Sequence, residues 1–381
     1  MYKFWKEAIG GALALQVLAA SLFAAGTWVR IQPQGNPPPG RINNTAVYDL
    51  ISDRLIIFGG FNSDVCCTPT NDLWVLTNAS RHGGGRQWIK LVPAGTQPPP
   101  LAAASAVYDP LSNRMIVFGG QKAGQSSNDL WILTHANGLA GTPTWQQVLT
   151  NTSPAPRQNH QAVYDLTSNR MIVFGGLHNV ANQPLSVLGD LWVLLNANGN
   201  GTPKWQQLTP TGTRPPARHG FAVAYNEILN RLTVFGGCIE PATFDCAASD
   251  TRLWALANAN GKSPTGADAN PVWSELSFPG DAPIAHSQYA VSAYDPLTNR
   301  LFLFGGRIGS NPPFGTFTDI TWMLDSANGL GGTPRWTMLT PSQSPAPRGQ
   351  SVPPNLFDPA TGRVIVFGGP GLNDTWTLDT R

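Results

Sequence analysis

The sequence predicts an all-β protein built as a six-bladed β-propeller, and three observations carry this prediction. The stretch Ala-Val-Tyr-Asp-Pro-Leu-Ser-Asn-Arg-Met-Ile-Val-Phe-Gly-Gly at 106–120 recurs in six copies. The copies are 56 to 69 residues apart, a period without a helical pattern that is typical of repeated sheets. Of the 13 tryptophans, all but Trp5 fall two per repeat. The glycine pairs that mark the copies begin at Gly59, Gly119, Gly175, Gly236, Gly305 and Gly368.

Four short apolar runs in each copy, separated by turn residues, predict four strands, here called A to D. Strand A has the Ala-Val-Tyr pattern, and strand B runs from an arginine to the glycine pair. Strand C has the Asp-Leu-Trp pattern, and strand D begins at the second tryptophan of the repeat. Apolar residues alternate along strands B and C, which suits sheets that stack face to face.

The two ends of the repeat region are complementary. Trp28-Val-Arg-Ile31 reads as a strand D without a preceding A, B or C, and the sequence reaches Arg381 directly after a strand C. We therefore expect the N-terminal strand to complete the sixth sheet, so that the ring has no large open edge.

These repeats resemble Kelch repeats in three respects: a glycine pair after a hydrophobic strand, a spaced aromatic pair ending in tryptophan, and a Pro-x-x-Arg approach to the next unit. The resemblance covers about residues 27 to 381 and implies a six-bladed Kelch-type β-propeller. The periods exceed the usual Kelch unit of about 50 residues, and the excess lies in the loops from B to C and from C to D. Kelch propellers serve as binding platforms and, less often, as enzymes.

The first 26 residues stand apart from the repeats. Lys3 and Lys6 precede an apolar run from Ala8 to Gly26, which is the layout of a secretory signal peptide. An uncleaved membrane anchor is the alternative. The sequence thus predicts a signal peptide over 1–26, a propeller over 27–381, and a secreted, periplasmic or cell-surface location.

Four cysteines are compatible with export. Cys238 and Cys246 lie within one loop and are a candidate disulfide, whereas Cys66 and Cys67 are adjacent and are either a vicinal disulfide or free thiols. The net charge is only +2, with no run of either sign, so the sequence lacks the basic footprint that nucleic acid requires.

The loops from B to C and from D to A leave the same face of a propeller, and the B to C loops vary most in length and composition. Variable loops on rigid strands are typical of a recognition surface. Arginines on this face could bind a carboxylate or a sulfate group. Alternatively, each arginine bonds to neighbouring loop carbonyls and holds the blades. The candidates are Arg41, Arg157, Arg218, Arg307 and Arg348. The arginine that opens strand B occurs in all six copies and is interpreted as structural.

Three histidines lie where chains approach strand A, near the expected mouth of the central channel: His160, His219 and His286. They are added to the candidate ligand-binding residues. No two histidines have metal-ligand spacing, so neither a metal nor a cofactor is predicted. An acid/base pair on this face would have to use Glu240, Asp245 or Asp281.

The leading functional prediction is an exported, monomeric binding module for a glycan or a protein, acting through the face of the B to C and D to A loops. The alternative is a carbohydrate-active enzyme resembling sialic acid epimerases. A copper site like that of galactose oxidase is disfavoured, because that family has seven blades and its ligands have no counterpart here. A structural cell-surface role also stays open. No nucleic acid is expected as a partner, and a membrane only if residues 1–26 remain attached.

Overall fold

Each repeat folds into one antiparallel sheet, because its apolar residues alternate along four strands that are joined by turns. The computed structural model describes residues 26–62, 68–81, 85–241, 249–280, 282–283, 289–308, 316–349 and 356–381. These residues form six sheets of four principal strands, called blades 1 to 6 in the order of their strand A. They contain no helix of the length and apolar character needed to span a membrane.

Strands A, B, C and D have the following bounds. In blade 1 they are Thr45–Asp49, Arg54–Phe58, Leu73–Thr77 and Trp88–Leu91; in blade 2, Ser105–Asp109, Arg114–Phe118, Leu130–Thr134 and Thr144–Val148; in blade 3, Gln161–Asp165, Arg170–His178, Ser186–Leu195 and Lys204–Leu208. In blade 4 they are Ala222–Asn226, Arg231–Phe235, Leu253–Ala257 and Val272–Leu276; in blade 5, Val291–Asp295, Arg300–Phe304, Thr321–Asp325 and Arg335–Leu339; in blade 6, Phe357–Asp358, Arg363–Gly369, Leu372–Asp379 and Thr27–Ile31.

The outer strand of blade 6 comes from the N-terminal part of the chain. Thr27–Ile31 pairs antiparallel with Leu372–Asp379, with Trp28 opposite Leu378. This is the position predicted for that strand. The predicted start of strand D needs a small correction, because in blades 2 to 5 the strand begins one residue before its tryptophan.

The blades are arranged around a common axis. Strands A of neighbouring blades contact one another, which makes them the innermost strands. The core consists of five buried clusters, each made of residues from neighbouring blades, and one of them joins blades 5, 6 and 1.

One aromatic contact recurs at all six interfaces. The strand D tryptophan of each blade packs on the phenylalanine that precedes the glycine pair of the preceding blade, with ring centroids 4.6 to 5.1 Å apart. Tilted pairs at this separation stabilise a protein beyond the area that they bury. The pairs are Trp28 with Phe304, Trp88 with Phe367, Trp145 with Phe58, Trp205 with Phe118, Trp273 with Phe174 and Trp336 with Phe235.

The arginine that opens strand B joins neighbouring blades. This contact agrees with the structural role that the sequence analysis gave it. Arg54 donates to the carbonyl of Asn137 in the next blade at 2.8 Å, and Asn137 donates back to Asp49 at 2.7 Å. Equivalent arginine bonds are Arg114 to Asn198, Arg170 to Asn260, Arg231 to Asn328 and Arg363 to Ser80. Arg300 pairs with Asp325 of its own blade at 2.7 Å.

The glycine pairs permit this close approach. Gly119 has φ +67, and a Cβ there would lie 2.7 Å from the carbonyl oxygen of Arg157 in the next blade and 2.8 Å from the ring of His160. By contrast, Gly124 has φ +81 with nothing within 4 Å of a Cβ. Both positions need the left-handed conformation, but only Gly119 also needs the space.

These two glycines provide a matched test of the blade contact. We expect Gly124→Ala to lower the free energy of unfolding by about 1–2 kcal/mol, the cost of placing a Cβ in the left-handed region. Gly119→Ala should lower it by about 2–5 kcal/mol, because overpacking adds to the same cost. Urea denaturation of both variants measures the difference, and equal losses would contradict the steric role of Gly119.

Candidate functional site

The two sets of loops on the predicted recognition face are bonded to each other within blades 1 to 4. Arg41–Ile42 pairs with Phe61–Asn62 in blade 1. Single antiparallel bridges make the same connection in blades 2 to 4, between Ala102 and Gln121, Gln158 and Leu177, and His219 and Cys238. The linker from D to A therefore supports the start of the loop from B to C, and the face is held by backbone bonds.

A second set of backbone bonds runs around the channel mouth, and we call it the collar. In blades 1 to 5 the residue two positions before strand A has a positive φ, and in blades 2 to 5 its amide donates to the carbonyl of the equivalent residue in the preceding blade. The bonds are Ala103 to Asn43, Asn159 to Ala103, Gly220 to Asn159 and Tyr289 to Gly220, at 2.8 to 2.9 Å. The φ values lie between 53° and 62°.

Tyr289 is the unusual member of the collar. A bulky residue at φ 58 has a strained backbone, which costs about 1–3 kcal/mol. Its ring covers Gly220, and its hydroxyl lies 3.5 Å from Nδ2 of Asn159 and from Nδ1 of His219. Burial raises the pKa of Tyr289 to about 12, and the charge of Arg307 acts in the opposite direction. Tyr289 thus places one phenol hydroxyl among side chains of blades 3 and 4.

The sequence analysis missed Tyr289, although a signal was present. Five of the seven tyrosines occupy the strand A position and Tyr2 precedes the repeats, so Tyr289 alone departs from the pattern.

Four of the predicted arginines are buried and paired with aspartates, which favours the second of the two roles that the sequence left open. Arg41 is fully buried. It donates to the carbonyls of Pro39 at 3.2 Å and Gly59 at 3.0 Å, and to both carboxylate oxygens of Asp72 at 2.7 and 3.0 Å. The equivalent pairs are Arg157 with Asp190, Arg218 with Asp250 and Arg348 with Asp374. These arginines take the alternative role, in which they bond loop carbonyls and hold the blade.

His160 and His219 are likewise buried, whereas the candidate ligand-binding role would need them accessible. Nε2 of His160 lies 2.7 Å from Oγ of Ser105, and burial, followed by the charge of Arg157, holds the pKa of His160 well below its usual range. Burial also lowers the pKa of His219 to about 4. Both imidazoles are therefore neutral near pH 7.

The remaining candidates are placed as follows. Arg307 is buried and begins the short strand Arg307–Ile308, which pairs with Thr316–Phe317. Cys238 is disulfide-bonded, but the predicted pairing with Cys246 stays a prediction. His286, Asp245, Asp281, Cys66, Cys67 and Cys246 lie outside the described residues. Within the described ranges, no group of three His, Cys, Asp or Glu side chains could hold a metal ion.

A pair of joined hairpins with exposed tips, formed by residues 121–126 of blade 2 and 177–186 of blade 3, lies on this face, and we call it the ridge. The amide of Ser126 donates to the carbonyl of Asn179 at 2.7 Å, and the amide of Asn179 donates to Oγ of Ser126 at 3.0 Å. The amide of Ala181 donates to Oε1 of Gln125 at 3.2 Å. Since each hairpin bonds the other, the ridge is built before any partner is present.

Comparison with known proteins agrees with this architecture. A family model described as the KLHDC2/KLHL20/DRC7 Kelch-repeats domain matches residues 15–200 and 166–381. The chain belongs to the Kelch-repeat family.

Several curated proteins are similar to the chain over much of its length. Human host cell factor 1 is 29% identical over 295 residues, which are 73% of this chain and 12% of that protein. Human host cell factor 2 is 28% identical over 73% of this chain and 32% of its own length. Tip elongation aberrant protein 1 of Schizosaccharomyces pombe is 28% identical over 62% of this chain and 18% of its own length. The chain thus spans about a third or less of these curated relatives.

Among solved structures, that of YjhT has a TM-score of 0.62 at 13% identity, covering 90% of this chain and 95% of that chain. At this identity the similarity concerns the fold alone.

The aspartates paired with arginine should make the stability of this Kelch protein depend on pH. Burial alone would raise the pKa of Asp72, but the hydrogen bond and charge of Arg41, with a bond from Trp74, outweigh it and lower the pKa to about 2. Asp250 is lowered to about 2 through Arg252 and Arg218, again against burial. An aspartate whose pKa is lower in the folded than in the unfolded protein stabilises the fold at pH values above its unfolded pKa, which is near 4. This stabilisation is lost as the pH falls toward 2.

We therefore expect the urea midpoint to be constant from about pH 7 to 5 and to fall steeply between about pH 4 and 2. The control is Arg41→Met, which should be less stable at pH 7 and should show a shallower fall, because the pKa of Asp72 returns toward its ordinary value. A wild-type midpoint that stays level down to pH 2 would contradict the role of these pairs.

Proposed function

We propose that this Kelch propeller is a protein-interaction module whose partner docks on the face of the B to C and D to A loops. The ridge is the observation that carries the proposal. Its two hairpins are already bonded to each other, so docking would require little loss of loop freedom, which is one of the main costs of association. Its crest is exposed and consists of Ala, Gly, Asn, Gln and Pro around the single charge of Lys122, which suits an uncharged polar partner surface.

The arginines argue against the enzymatic alternative. A resemblance to sialic acid epimerases implies a ring of guanidinium groups for an anionic substrate, whereas four of these groups are committed to Asp72, Asp190, Asp250 and Asp374. A glycan remains the second ligand class, and it is better matched outside the channel.

The test compares two bulky substitutions on opposite faces. Ala181→Arg places a charge on the ridge, and Leu111→Arg places the same side chain in the A to B turn of blade 2, where Leu111 is 64% exposed. We expect proteins that co-purify with the wild type to be lost at least tenfold with Ala181→Arg and retained with Leu111→Arg. Amine-reactive cross-links should include Lys122. Equal retention by both variants, or cross-links confined to the opposite face, would rule out the ridge.

We also propose that residues 1–26 direct export, which is supported by the two lysines followed by an apolar run. Expression with the native N-terminus, followed by mass spectrometry of the secreted fraction, should give a chain that begins near residue 27. A full-length mass in the membrane fraction would instead support the anchor.

A further inference from the structure

A cavity of about 160 Å³ lies at the seam between blades 6 and 1, apart from the ridge. It is bounded by the end of the N-terminal strand, the linker that follows it, and the start of strand C in blade 6. Its walls include Arg30, Pro33, Pro37, Trp88, Asp374 and Thr375. Its size is close to the ~150 Å³ that admits a benzene ring and far above the ~10–15 Å³ that one water molecule needs.

Two of the lining residues carry a buried polar atom without a hydrogen-bond partner. Trp88 is 4% exposed and Thr375 is 1% exposed. Neither Nε1 of Trp88 nor Oγ1 of Thr375 has a partner in the protein. Because burying an unpaired polar group is costly, a ligand that bonds both atoms would remove a penalty that the folded chain carries.

The neighbouring seam provides an internal comparison. At the seam between blades 5 and 6 the equivalent residues are Trp28 and Thr321, and there the indole donates directly to the threonine hydroxyl at 3.1 Å. Trp88 and Thr375 repeat the same two residue types, but they do not bond to each other and a cavity lies beside them.

The other four seams have leucine in place of this threonine, and the leucine belongs to the same buried cluster as the facing tryptophan. The indole nitrogens of Trp145, Trp205 and Trp336 also lack acceptors there, but the leucine that takes the threonine position has no hydroxyl to pair. Only at Trp88 does an unpaired indole coincide with an unpaired hydroxyl and a cavity among the described residues. The leucines are Leu73, Leu130, Leu191 and Leu253.

The lining indicates the class of ligand. Trp88 offers a donor, Thr375 offers both a donor and an acceptor, and Asp374 offers acceptors while its charge is balanced by Arg348 at 2.9 and 3.2 Å. A hydroxyl group both donates and accepts, so it matches all three. Ile31, Pro33 and Pro37 supply apolar walls for the C–H groups of a sugar or polyol. We propose that the seam cavity binds a small neutral polyol or monosaccharide, independently of the protein partner proposed for the ridge.

The indole N–H of Trp88 is a direct reporter of this site. In a ¹⁵N-labelled full chain its signal can be assigned by its loss in Trp88→Phe. We expect glycerol and D-glucose, titrated separately, to shift this signal saturably, with the signal of Trp28 unmoved. Sodium acetate, as an anionic probe, should not produce this shift.

Three variants test whether the ligand that shifts the Trp88 signal binds in the seam cavity. Thr375→Val removes the hydroxyl at nearly constant shape and should weaken binding at least tenfold, and Thr375→Leu should abolish binding by restoring the residue of the other seams. Thr321→Val breaks the bond to Trp28 at the neighbouring seam and should leave binding unchanged. The proposal fails if the Trp88 signal does not move in the wild type, if all indole signals move together, or if acetate alone saturates the shift. These outcomes are measured on the wild-type protein, so they test the proposed site even if a variant fails to fold.

Discussion

Close approach between neighbouring blades is the constraint on which the rest of the structure depends. Each blade buries its strand D tryptophan on the phenylalanine of the preceding blade, and directly after that phenylalanine the chain continues through two glycines with positive φ. The second glycine donates its amide to the linker of the following blade, as Gly120 does to Arg157 at 2.8 Å. The aromatic contact thus brings the blades together, and the glycine pair lets the backbone of one blade position the loops of the next.

The two faces of the propeller are held by different kinds of bond, and this difference separates scaffold from recognition surface. On the face of the A to B and C to D turns, the bonds between blades use side chains, as between Arg114 and Asn198 or between Asn198 and Asp109. Those bonds require particular residues in nearly every repeat. On the opposite face the collar and the bridges between loops use backbone atoms, which almost any residue provides. Apart from the recurring arginine–aspartate pairs, side chains on that face can therefore differ from blade to blade, which a binding surface requires.

The sequence was sufficient to predict the repeat, the four strands and the position of the N-terminal strand. These features follow from local residue patterns and from the number of copies of each strand. The sequence was insufficient to predict the partners of the arginines. The partner of Arg41 is an aspartate 31 positions later, and the pairing depends on the path of the loop between them. The burial of His160 was not predictable for a similar reason, since it involves Ser105 and Phe118 of another blade. The seam cavity could not be anticipated either, because Thr321 and Thr375 are the same substitution for leucine and only their three-dimensional surroundings differ.

A repeat protein provides its own controls, and these controls identify where function is to be sought. Equivalent positions share a backbone conformation, so a departure from the pattern isolates the effect of one side chain. Tyr289 keeps the φ of Asn43 and Ala103, although a small or amide side chain suits that conformation better. Thr375 keeps the position of Leu73 but leaves a hydroxyl and an indole unbonded. Each departure carries an energetic cost, from a strained backbone at Tyr289 and from unpaired buried polar atoms at Trp88 and Thr375. Because a folded chain retains an unpaired buried group only at a cost in stability, Thr375 indicates a site that a ligand completes.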